Sequence, residues 1–113
     1  MKSEFHEYLL NKGFVKSKIL LPGPNGDISL NLFSLEKNKV YIEFLFYSEE
    51  MSKLFGKKNI VILTINENFS LKDTITNPIK NPNIQLMFQL EDIKMKEKTL
   101  LIRNENGVAE LCL

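Results

Sequence analysis

At 113 residues the chain has room for one domain and little more, and 43% hydrophobic with 26% charged residues is the composition of a globular protein that buries a core without disulfides or metal. Lys+Arg 15 against Asp+Glu 14 leaves a formal net charge of +1, which argues against a protein that works by coating DNA or an anionic membrane. Arg103 is the only arginine, too little for a bidentate phosphate or guanine site.

Further exclusions follow from single residue types. Cys112 stands alone, so no intrachain disulfide forms, which fits a reducing compartment. Met1 to Glu7 holds no apolar signal-peptide core, and no apolar run approaches the roughly 18 residues of a membrane span. The expectation is a cytoplasmic protein. Abundant lysine, asparagine and isoleucine with no tryptophan fit an AT-rich bacterial or phage genome.

In chain order, Ser3 to Lys12 predicts a short helix. Ser3 is the expected N-cap, Glu4 and Glu7 suit the helix dipole, and Phe5, Tyr8 and Leu9 form one apolar stripe. Gly13 is a natural stop. Phe14 to Leu21 reads as a first strand, and Pro22 to Asp27 as a turn. Asp27 to Tyr47 then reads as a β-hairpin, because both arms alternate with a period of two. A three-residue loop, Glu36-Lys37-Asn38, would pair Leu32 with Ile42, Leu30 with Phe44 and Ile28 with Phe46, placing all six on one face.

Ser48 to Gly56 predicts a second short helix, capped by Ser48 and carrying Met51, Leu54 and Phe55 on one side. Asn59 to Asn66 is β-branched and apolar on both sides, the pattern of a central strand. Glu67 to Asn83 breaks the pattern with Asn, Ser, Thr and two Asn-Pro steps, and Ser70 to Thr76 is a candidate edge strand inside it. Ile84, Leu86, Phe88 and Leu90 alternate as a one-face strand, and Lys94, Lys96 and Lys98 mark an exposed connection. A final hairpin, Thr99–Asn104 with Val108–Leu113, is expected to turn at Asn106-Gly107 and to set Arg103 against Glu110. Leu100, Ile102, Leu111 and Leu113 should share one face, Leu101 and Cys112 the other. Val108–Leu113 should be an inner strand, or a pairing edge in a homodimer or partner complex, since an uncovered apolar edge invites aggregation.

Little in the chain carries chemistry. His6 reads as a polar residue on a helix surface rather than a base, and Cys112 as a half-buried strand residue lacking a basic partner. Glu49-Glu50 fits a helix start, and Glu91-Asp92 a strand end. The loop Pro22–Asp27 lacks the lysine and following helix of a phosphate cradle. No metal or other cofactor is expected.

These elements predict a single α+β domain over residues 1–113: a mainly antiparallel, twisted sheet of about six or seven strands, an N-terminal helix packed on it, and a short second helix between strands 3 and 4. The helix–meander–helix–strand order resembles that of secretion chaperones, with no residue motif of that family. The function expected is a non-enzymatic protein-binding module, an inhibitor or immunity-type protein that covers a partner protein. The residues chosen as partner-binding lie in the long loop: Phe69, Lys72, Asp73, Ile79 and Lys80. The alternative is a small-ligand or nucleic-acid binder in which Lys12, Lys16, Lys18, Lys94, Lys96 and Lys98 share a surface and Tyr41 or Phe33 on the outer sheet face stacks bases.

Overall fold

A computed structural model describes residues 2–67, 83–105 and 107–113. The architecture is α+β, as the pattern predicts, but its strands form two sheets. Helix α1 (Lys2–Asn11) leads into β1 (Val15–Leu21), β2 (Ile28–Lys37) and β3 (Val40–Phe46); α2 (Glu49–Leu54) then precedes β4 (Ile60–Glu67) and β5 (Asn83–Gln89). These five strands lie side by side in chain order, every pair antiparallel. A 3₁₀ turn at Leu90–Asp92 redirects the chain into β6 (Ile93–Met95), β7 (Thr99–Asn104) and β8 (Gly107–Cys112), a second antiparallel sheet. β6 lies where the lysine-rich run suggested only a connection; Ile93 is buried and anchors it.

The helices stop where their sequences say they should. Gly13 sits at φ +94, its N–H bonds the Leu10 carbonyl, and the Phe14 N–H reaches back to Leu9. That pattern closes a helix through a left-handed residue, a conformation glycine adopts without a Cβ clash. α2 ends through the same bonds, Gly56 to Lys53 and Lys57 to Ser52. At its start the Ser48 hydroxyl accepts from the Met51 N–H at 3.3 Å, the expected cap. Ser3 does not cap α1, because the helix begins at Lys2 and encloses it.

Two hairpin registers differ from expectation. β2 and β3 turn through Asn38 and Lys39 alone, with φ +53 and +65, and pair Lys37 with Val40, Leu35 with Ile42 and Phe33 with Phe44. A two-residue turn with both φ positive matches the twist of its strands. It sends Phe33 and Leu35 to the side of Ile42, Phe44 and Phe46, and Ile28, Leu30 and Leu32 to the opposite side. In the last hairpin Asn104 faces Gly107 and Ile102 faces Ala109. Gly107, at φ +114, takes the left-handed region at the start of β8, a conformation glycine adopts without a Cβ clash. The two faces stay as expected, but Arg103 no longer meets Glu110 and instead bonds Asp92 at 3.2 Å. β8 is an end strand beside β7, not an inner one.

The core lies between the sheets. The inner face of the five-stranded sheet carries Phe33, Phe44, Phe46, Val61, Leu63 and Phe88, all buried. α1 lays Phe5 and Leu9 on it; the Phe5 ring meets Phe44 edge-on at 5.4 Å. The second sheet adds Ile93, Leu100 and Ile102 to the same cluster. α1 is tied to that sheet as well: the Tyr8 hydroxyl donates to the Lys96 carbonyl at 2.9 Å, and the Lys12 ammonium to the Glu97 carbonyl.

Candidate partner-binding face

Side chains alternate across a strand, so the register assigns every position of the five-stranded sheet to one face. The outward rows are Val15, Ser17, Ile19 and Leu21 on β1; Ile28, Leu30, Leu32, Ser34 and Glu36 on β2; Tyr41, Glu43 and Leu45 on β3. β4 adds Ile60, Ile62, Thr64 and Asn66, and β5 adds Gln85, Met87 and Gln89. The outer face is thus aliphatic where the inner one is aromatic. Leu30 and Ile60 are buried, while Ile19, Leu32, Leu45 and Ile62 are half-buried and Met87 is exposed.

An open depression of about 600 Å³ lies over the middle of this face, lined by Glu43, Leu45, Tyr47, Ile62, Thr64, Gln85 and Met87. Its one charged group is Glu43. Burial raises the Glu43 carboxyl above its usual value, and a hydrogen bond from Tyr41 opposes the shift. The Tyr41 phenol is itself pushed up, by burial first and by the Glu43 charge second, and bonds Ser34 as well. Asn66, opposite Tyr41 on β4, is buried, and its Oδ1 has no hydrogen-bond partner among the described residues.

The lysines take other places. Lys16 and Lys18 lie on the inward row of β1, with the Lys16 ammonium 6.0 Å from the Phe33 ring. Lys12 reaches the turn that carries Lys96, Glu97 and Lys98. None of the six lies on the outward rows; of the two aromatics expected there, Tyr41 is on the outer face and Phe33 is inside the core. A different group, Lys2, Lys53, Lys57 and Lys58, surrounds a depression of about 540 Å³ with Tyr47, Glu49, Gly56 and Asn59. Lys57-Lys58 after a helix-ending glycine was its only visible sequence signal.

Phe69, Lys72, Asp73, Ile79 and Lys80, and the candidate strand Ser70–Thr76, lie outside the described residues. His6 is half-buried rather than a surface residue: its ring lies 4.7 Å from both Phe33 and Phe46. Burial, then Lys16 and Lys2, lower its pKa. Cys112 is exposed, because alternation along β8 turns it outward. Among the described residues no three His, Cys, Asp or Glu side chains group as metal ligands. No described helix is long and apolar enough to cross a membrane. Comparison with known protein families, curated proteins and solved structures finds no match.

Proposed function

We propose that this protein is a small binding module that works by covering a partner protein with the outer face of its five-stranded sheet. One observation carries the reading: the sheet is apolar on both faces, and while α1 and the second sheet lie on the inner one, on the outer one only Leu30 and Ile60 are buried among the described aliphatic residues, and Ile19, Leu32, Leu45, Ile62 and Met87 stay half-exposed or exposed. Contiguous exposed apolar surface rimmed by polar groups is the signature of an interaction site. Covering a partner needs no catalytic group, so an inhibitor or immunity-type role falls within this proposal. A second copy could also pair along β8, whose outward side chains Val108, Glu110 and Cys112 are exposed.

The test is affinity capture from the source cells with three baits: wild type, Leu45→Lys on the outer face, and Lys94→Ala away from it. A protein held by the first and third but lost with Leu45→Lys supports the reading. One retained equally by all three overturns it. A second reading, an anionic ligand in the depression between Lys2 and Lys58, draws on that lysine cluster alone. Its binding should collapse as salt rises, whereas an apolar protein interface should persist.

A further inference from the structure

We propose that the outer face recognises a cationic segment of the partner, with one lysine or arginine held by Glu43 while flanking apolar side chains cover Leu32, Leu45 and Ile62. This rests on the partner-binding reading above and names the chemistry of the partner.

Charge placement is the first argument. The chain holds Lys+Arg 15, yet the outward rows of all five strands carry Glu36 and Glu43 and no lysine or arginine among the described residues. A protein this rich in lysine would be expected to spread some of it over a solvated sheet face. A face free of cations and holding a carboxylate at its centre is complementary to a cation and repels a polyanion.

The setting of that carboxylate is the second. Glu43 is half-buried and lines the depression beside Leu45, Ile62 and Thr64, where it accepts a hydrogen bond from Tyr41. A carboxylate with lone pairs on two oxygens, set among apolar side chains, asks for a group with several donors and a positive charge, which lysine and arginine supply.

The third argument removes a competitor. A symmetric dimer through this face would bring the same surface of a second copy against it, setting carboxylates together with no cation between them. A distinct, basic partner segment satisfies what a second copy does not.

The test uses a random-peptide display library selected on the full chain, with synthetic versions of the recovered peptides measured by fluorescence anisotropy. Recovered peptides should carry a lysine or arginine amid apolar residues. Glu43→Gln should weaken them by about tenfold or more while the protein keeps its fold by circular dichroism. Glu43→Lys should favour acidic peptides instead. Peptides lost with Leu45→Lys but indifferent to Glu43→Gln would overturn cation recognition and leave the partner-binding face standing. Peptides indifferent to both, or no peptide above background, would overturn this proposal and count against the face itself. A concentration-dependent dimer that dissociates in Leu45→Lys would give the face to a second copy and likewise overturn it.

Discussion

The two faces of the five-stranded sheet are built from the same strands and do different work. The inner face interlocks aromatic rings: Phe33 and Phe46 meet at 5.4 Å, and Phe44 meets Phe5, Phe14 and Phe88. The outer face is mostly aliphatic: Leu30 and Ile60 are buried, while Ile19, Leu32, Leu45 and Ile62 stand half-exposed around a carboxylate. Adjacent residues on one strand therefore belong to different energetic classes. Phe44→Ala empties a fully buried ring site and should cost about 3–5 kcal/mol. Leu45→Ala, one residue on, removes a half-buried side chain and should cost roughly 1 kcal/mol. Urea denaturation of the two variants measures the contrast. Equal losses would break it and mean that the outer face is as much core as the inner one.

That contrast also explains which parts of the fold were legible in the sequence. β3 and the last hairpin were legible by face because their buried apolar residues keep to one parity: Ile42, Phe44 and Phe46, or Leu100 and Ile102. α2 was legible because Ser48 and Gly56 bracket it. β2 was not, since it is apolar at both parities: Ile28, Leu30 and Leu32 on one, Phe33 and Leu35 on the other. Counting apolar residues chose the longer row. Ring packing decided otherwise, because only the observed register sets Phe33 against Phe44. Ile28, Leu30 and Leu32 of the outer face came from that misassigned row, so their part of the candidate site was hidden until the register was known. The loop residues favoured for partner binding drew attention by composition, whereas the outer face is read from register and exposure.

The turn that sets this register sharpens the comparison further. Asn38 and Lys39 both take positive φ, and Lys39 bears a Cβ where glycine would bear none. Lys39→Gly should relieve that strain and, after the added chain entropy of glycine, raise stability by about 0.5–1 kcal/mol. It should do so without altering either face. Chemical denaturation gives the magnitude, and unchanged near-ultraviolet circular dichroism the intact aromatic core. A loss of stability instead would mean that the Lys39 side chain contributes more than its backbone strain costs.

The smallest effect separates the faces by pH, one titrating group on each. On the inner side His6 has its pKa lowered from 6.5 by burial and by Lys16 and Lys2. In the window below 6.5 the unfolded chain binds the proton more readily than the folded one. The contribution of His6 is therefore complete above 6.5 and is lost as pH falls through the lowered value. On the outer side Glu43 has its pKa raised from 4.5 by burial. Here the folded state holds the proton longer, so its contribution is complete below 4.5 and is lost as pH rises through the raised value. His6→Gln should flatten the acid side of the stability profile, and Glu43→Gln the side just above 4.5, each compared with wild type by thermal melts across pH. At neutral pH the charged Glu43 works against folding, so Glu43→Gln should melt no lower than wild type. A carboxylate kept on an apolar face at a cost to stability is what a recognition group looks like. If Glu43→Gln instead melts lower at neutral pH, Glu43 stabilises the fold, and the outer face loses its strongest mark of function.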